Sequence, residues 1–169
     1  AGQKLTVQLA LLGRHNQLNA LAAIAAATAD GASIDAIVAG LESMQPVAGR
    51  LQIRTSHSAA RIIDDSYNAN PASAMAAIDV LADFPGKRTL VLGDMLELGP
   101  RELEVHAEIG RYACEKGLDN LFTIGCLAAM AAGEFGANGA SYSDQKELAL
   151  ALRSGLDNPQ HTFLFKGSR

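Results

Sequence analysis

Hydrophobic and polar positions alternate in blocks along this chain, and the blocks read as strands and helices in turn. Leu5-Thr6-Val7-Gln8-Leu9-Ala10-Leu11-Leu12 suits a largely buried strand. The turn Gly13-Arg14-His15 leads into an Ala-rich helix from about Gln17 to Ala29, with Gly31 as its stop signal. Ile34, Ile37, Val38 and Leu41 recur at helical spacing and predict a short second helix over 34–41. Gln45-Pro46-Val47-Ala48-Gly49-Arg50 is a turn-rich link, expected to separate a first segment, 1–45, from a second, 46–169. One strand and two helices cannot close a core alone, so the first segment must pack on something else or expose apolar surface.

Beyond the link the pattern becomes regular. Strands are expected near 51–55, 61–64, 88–92, 120–124 and 161–165. Helices are expected near 71–83, 102–117, 126–133 and 144–154. The first two strands, flanking Ser56-His57-Ser58, are close enough to pair as a hairpin. Strands separated by helices imply crossover units, hence an α/β fold with a mainly parallel sheet covered on both faces.

Composition supports a packed globular chain. Of its 169 residues, 49% are hydrophobic and 19% charged, and a domain this long buries about 70% of its unfolded surface. A formal net charge of −4 argues against a broad electrostatic grip on nucleic acid. Cys114 and Cys126 are too few for a disulfide framework and lack the companions of a zinc site. Each falls in an apolar stretch and is expected to be a buried free thiol in a reducing, cytoplasmic setting. No apolar run approaches the roughly 20 residues of a membrane span. The opening Ala1-Gly2-Gln3-Lys4 has no start Met or signal layout, and both ends read as interior to a longer protein.

Five polar stretches are candidates for chemistry. In Ile62-Ile63-Asp64-Asp65-Ser66-Tyr67-Asn68-Ala69-Asn70-Pro71 an apolar strand ends in two carboxylates and turns into a helix. Parallel sheets bind ligands at such strand ends, and the helix N-terminus offers free N–H groups that suit phosphate. Capping accounts for Asn70 and Pro71 without a ligand, but not for Asp64, Asp65, Tyr67 and Asn68 arriving together. Asn16 and Asn19 stand three apart at a helix start, where their amides can meet an adenine edge. Asn16 as a helix cap is the competing reading, and His15 beside it suits a solvated histidine. Arg50, beside a glycine turn, can fork onto phosphate oxygens or stay a surface arginine. Asp94 and Glu97 should share the sheet rim with Asp65, with His106 in the next helix. Lys166, Ser168 and Arg169 put two cations and a hydroxyl at another strand end. No Ser-His-Asp order, metal-ligand spacing or Gly-x-x-x-x-Gly-Lys-Ser/Thr phosphate loop occurs.

Gly-Arg-His-Asn-x-x-Asn, Pro-x-x-Gly-Arg, Asp-Asp-Ser-Tyr-Asn-Ala-Asn-Pro, Gly-Asp-Met-x-Glu-Leu-Gly and Lys-Gly-Ser-Arg, in this order, resemble the Mur ligases of bacterial peptidoglycan synthesis. The Tyr-Asn-Ala-Asn-Pro and Gly-Asp-Met versions resemble the branch that adds D-Ala-D-Ala to UDP-MurNAc-tripeptide. The resemblance implies a tail of the central ATPase domain over 1–45, followed by a Rossmann-like C-terminal domain that stops before its last helix. It also implies a cytoplasmic enzyme using ATP and Mg2+ through an acyl-phosphate intermediate, with a monomer as the expectation. Without the phosphate loop, this chain alone is expected to be inactive, with no catalytic or metal-binding residue of its own. By matched position, Asn16 and Asn19 would lie beside the adenine or ribose, with His15 near them. Arg50 would reach the phosphates. Asp65 would meet the ribose or a phosphate-side partner, with Tyr67, Asn68, Asn70 and secondarily Asp64 lining the nucleotide. Lys166, Ser168 and Arg169 would hold a peptide-side carboxylate. The 45–50 link would be the hinge of a closing motion. A sister Mur ligase, a folylpolyglutamate synthase and a non-catalytic nucleotide-binding module remain as alternatives.

Overall fold

The computed structural model describes residues 4–57 and 59–168. It divides into two compact units, Ala1–Val47 and Ala48–Arg169.

The first unit holds two helices, α1 (Arg14–Ala29) and α2 (Ile34–Glu42). The strand expected over 5–12 does not form. A strand exists through its ladder, and residues 4–12 meet no partner strand among the described residues. What holds them is local: the Gln8 N–H donates to Glu42 on α2 at 3.0 Å. Helix α1 begins three residues earlier than expected and takes Gly13, not Asn16, as its N-cap. Alanine is the best helix former, so the Ala-rich stretch is helical without a buried stripe. None of its residues is buried. Helix α2 has the amphipathic spacing and a Ser33 cap, and buries Ile37 and Leu41.

The second unit is a six-stranded sheet in the order β1-β2-β6-β3-β4-β5. Its strands are β1 (Gln52–Thr55), β2 (Arg61–Asp65), β3 (Lys87–Gly93), β4 (Asn120–Ile124), β5 (Gly139–Tyr142) and β6 (His161–Lys166). β1 pairs antiparallel with β2, as the hairpin spacing predicts, and every other pairing is parallel. Four helices connect the strands: α3 (Pro71–Ala82), α4 (Glu102–Glu115), α5 (Ala129–Phe135) and α6 (Gln145–Leu156). The sequence pattern misses β5. Gly-Ala-Ser-Tyr has no apolar run, and it becomes a strand only because β4 presents a free ladder edge. Among the described residues no helix is long and apolar enough to cross a membrane.

In-register neighbours share a face of the sheet. Ile63, Leu164, Leu90 and Leu121 form one aliphatic row across four strands. Each is at most 1% exposed, and Ile78 and Leu81 of α3 and Ile109 of α4 are equally buried. The opposite face carries Val91, Phe163, Phe122 and Phe165 against Leu148 and Leu152 of α6. Both cysteines are exposed, which corrects the expectation of buried thiols. Cys114 lies one residue past Ala113, where α4 turns to solvent. Cys126 sits in the turn before α5, which starts at Ala129 rather than 126.

His161 opens β6 on the aromatic face, stacked on Phe163 at 4.0 Å. Burial, and secondarily the Lys87 ammonium, hold its imidazole below the usual value near 6.5, against an opposite pull from Asp119. The unfolded chain therefore takes up a proton near that pH that the native ring refuses. Stability is full above it and declines as pH falls through the window below it. The urea midpoint should drop between about pH 7.5 and about pH 5. His161→Phe, which keeps the stack, should remove this ring's share of the drop.

Candidate functional site

Where β2, β3 and β6 end, three loops enclose an open groove of about 500 Å³. Tyr67, Asn68, Ala69 and Asn70 form one wall, Leu96, Glu97 and Leu98 the other, and Ser168 lies between them. The period-two alternation of β2 decides what its two carboxylates do. They leave the strand on opposite faces, each already engaged. Asp64 accepts from Ser66 N–H and Oγ–H at 3.2 and 2.6 Å and pairs with Arg54 at 3.5 Å. Asp65 accepts from Leu51 N–H at 3.1 Å and pairs with the Lys166 ammonium at 2.5 Å. The side chains of Lys166 and Asp65 are 2% and 14% exposed, so this ion pair is almost dry. Lys166 also donates to the Asn68 carbonyl at 3.0 Å, tying β6 to the groove wall. At 2% exposure the ammonium is closed to a ligand carboxylate unless the groove wall moves.

Arg50 is placed by the residues on either side of it. Gly49 has φ +72°, and a Cβ there would come within 3.1 Å of the Tyr67 nitrogen. That opening lets the Gly49 carbonyl accept from Tyr67 N–H at 3.0 Å. Leu51 stands at φ +48°, held by its buried side chain and its N–H on Asp65. Arg50, exposed between these two anchors, lays its guanidinium over the Tyr67 ring at 4.4 Å. The stack limits its rotamers and leaves its N–H edge open to an anion.

Asn70 caps α3. Its Oδ1 accepts from Ser73 N–H at 2.9 Å, Ser73 Oγ returns the bond, and Pro71 takes the first helical position. The capping reading of these residues therefore holds. Asn68 Oδ1 accepts from Ala69 N–H at 2.9 Å, leaving its amide N–H2 for a ligand. In the first unit, Asn16 donates to the Leu12 carbonyl at 2.7 Å, while Asn19 is exposed one helical turn on and His15 is exposed beside Arg14. Arg169 lies outside the described residues.

The sequence singles out Asp94, Glu97, His106 and Ser168, but not the wiring that joins them. Ser168 Oγ accepts from Leu96 N–H at 3.2 Å and donates to the Ala69 carbonyl at 3.1 Å, so one hydroxyl bridges both walls. Its own N–H donates to the Asp94 carbonyl at 3.0 Å. The Asp94 carboxylate accepts from Leu127 and Ala128 N–H at 3.0 and 2.7 Å, fixing the turn into α5. Gly125 makes room for it: a Cβ there would stand 2.3 Å from the carboxylate. His106, fully buried, accepts from Met95 N–H at 2.9 Å and donates through Nδ1 to the Glu102 carbonyl at 2.6 Å. Glu97, between these anchors, is held at φ +62°. The one signal that could have exposed this wiring is Gly at the strand ends of 93, 125 and 167, where loops must approach closely.

Among the described residues there is no group of three or more His, Cys, Asp or Glu that could hold a metal. The site offers a polar groove, a stacked arginine and a rigid rim.

Known proteins resemble this chain in sequence and fold. Residues 49–169 match the family model described as Mur ligase, glutamate ligase domain. The chain is 41% identical over 164 residues to the UDP-N-acetylmuramoyl-tripeptide--D-alanyl-D-alanine ligase of Escherichia coli, covering 96% of this chain and 36% of that protein. Among solved structures, MurF from Acinetobacter baumannii superposes with a TM-score of 0.84 at 40% identity, over 96% of this chain and 36% of that one. MurF from Thermotoga maritima in complex with ADP superposes at 0.84's near equal, 0.83, with 29% identity over 98% of this chain and 38% of that one. The chain thus spans little more than a third of the length of the relatives it matches, and it belongs to the Mur ligase family.

Proposed function

We propose that the protein containing this chain is an ATP-dependent carbon–nitrogen ligase that adds D-Ala-D-Ala to UDP-MurNAc-tripeptide in cytoplasmic peptidoglycan synthesis. The observation that carries this reading is the 41% identity over 96% of the chain to the Escherichia coli ligase of that name. A carboxylate oxygen of the tripeptide attacks the γ-phosphorus of ATP, and the bond to ADP breaks. The dipeptide amine then attacks the acyl phosphate, loses a proton, and inorganic phosphate leaves. Such chemistry is mostly positioning and charge neutralisation. The first 45 residues would close the family's ATP-binding domain and 46–169 would form its C-terminal domain.

The roles of the described residues follow from how each side chain is engaged, and that of Arg169 from the matched motif. Arg50, stacked and preorganised, takes the phosphates. Asp65 keeps one lone pair on each oxygen for ribose hydroxyls after serving Leu51 and Lys166. Asn68 offers its amide donors, with Tyr67 and Asn70 completing the nucleotide wall. Asp64, spent on Arg54 and Ser66, shapes the loop rather than touching the ligand. In the first unit, exposed Asn19 serves the adenosine, with Asn16 fixing the helix start and His15 nearby. Lys166 and Ser168 act by holding the rim, and Arg169 takes the peptide-side carboxylate. Magnesium, which neutralises phosphate charge in such transfers, is assigned to no residue of this chain. The protein is taken to act as a monomer.

The test uses the full-length parent. Arg50→Ala should lower phosphate release with D-Ala-D-Ala by roughly ten- to a hundredfold, since one preorganised cation is lost from the transferring phosphoryl group. Arg50→Lys should recover little, because the planar fork and the stack both go. Unchanged turnover in Arg50→Ala would remove the phosphate role. Phosphate release with single amino acids rather than D-Ala-D-Ala would point to a sister ligase.

A further inference from the structure

At the end of the sheet opposite the groove, α6 stands off the first residues of β3, β4 and β6. The space is a cavity of about 170 Å³. Its floor is apolar, formed by Phe122, Leu152 and Phe163. Its rim is polar, with Lys87, Asn120, Ser154 and Asn158 around the ring of His161, and no carboxylate lines it.

His161 is only 5% exposed, and its hydrogen bonding is half complete. Nε2 lies 2.7 Å from Thr89 Oγ1, which accepts from Asn120 Nδ2 at 2.9 Å. Either group can supply the proton of this contact, and when Thr89 does, the imidazole proton sits on Nδ1. Nδ1 faces α6 at Gly155, where a Cβ would stand 2.7 Å from it. Among the described residues Nδ1 has no hydrogen-bond partner. An imidazole with one ring nitrogen unengaged, a cation and an apolar floor in one cavity whose lining holds no carboxylate describe a ligand by their complement.

We propose that this cavity binds a small carboxylate with a short apolar chain. Its oxygens meet the Nδ1–H of His161 and the Lys87 ammonium, and its chain rests on Phe122 and Phe163. The site lies at the opposite end of the strands from the groove and does not depend on the ligase reading. The charges acting on His161 are Lys87 on β3 and Asp119 ahead of β4, while α6 presents the uncharged Ser154 and Gly155. A bound anion offsets Lys87 and favours the imidazolium, so binding takes up a proton and tightens as pH falls.

Nuclear magnetic resonance of the histidine ring nuclei in this chain tests it, with sodium acetate, propionate, butyrate and phosphate titrated against sodium chloride at constant ionic strength. The His161 signals should shift saturably with the carboxylates and not with chloride. Each added methylene should tighten binding about fourfold, the factor for burying one CH2. Lys87→Met, a change at an exposed side chain, should weaken butyrate binding at least about tenfold, the scale of a charge-assisted contact. The proposal fails if chloride reproduces the shift, or if affinity is flat from acetate to butyrate. It also fails if phosphate outcompetes butyrate or Lys87→Met binds as the parent chain does.

Discussion

Lys166→Met should be among the most damaging single substitutions in this chain, lowering stability by about 3–5 kcal/mol. The methylene stem is replaced, so packing is nearly kept. What is lost is, among the described residues, the only ion pair to the Asp65 carboxylate, in a place where Lys166 is 2% and Asp65 14% exposed. The charge left behind, 14% exposed, recovers only a small part of its hydration. The loss should appear as a fall in melting temperature of about 10–15 °C for a unit of this size. Asp65→Leu added to Lys166→Met should restore part of it, because an apolar pair replaces a buried charge pair without penalty. Recovery should stop short of the parent, since Leu51 N–H loses its acceptor. If the single and double variants melted together, the ion pair would not be what holds β2 to β6 at the rim.

Gly110→Ala is the second. A Cβ at Gly110 would lie 2.1 Å from the Ala131 carbonyl oxygen and 2.8 Å from its Cα, all backbone of α5. No rotamer relieves that contact, so α4 and α5 must part. Overpacking of this kind costs about 1–3 kcal/mol or more, and it outweighs the roughly 1 kcal/mol that alanine gains over glycine in a helix. Gly133→Ala is the control: it is also helical, on α5, and its Cβ would meet nothing within 4 Å. That change should stabilise by up to about 1 kcal/mol. Opposite signs in urea denaturation are expected, and the same sign for both would refute the close α4–α5 approach as the reason for Gly110.

Much of the sheet was legible because its strands are buried and β-rich: 88–92, 120–124 and 161–165 stand out by apolar runs, and their spacing forces parallel crossovers. β5 was not legible, because Gly139-Ala140-Ser141-Tyr142 owes its strand to an available edge rather than to its own pattern. The strand expected over 5–12 shows the converse, a strong apolar run without a ladder. Around the groove, residue types pointed to the loops that line it. Residue types could not say that Asp64 and Asp65 part to opposite faces, or that Lys166 is buried on Asp65. The first needs the ends of β2 fixed, and the second depends on register between segments 101 residues apart.

The position of β6 has a consequence for biosynthesis. It lies between β2 and β3, and its register partner Arg61 precedes Thr162 by 101 residues. A growing polypeptide therefore carries two bare ladder edges until residues 161–166 leave the ribosome. Those edges invite pairing with other nascent chains, and the closure that buries them is non-local and slow. Demand for chaperone holding should peak in that interval, and it should end abruptly when the missing central strand slots in.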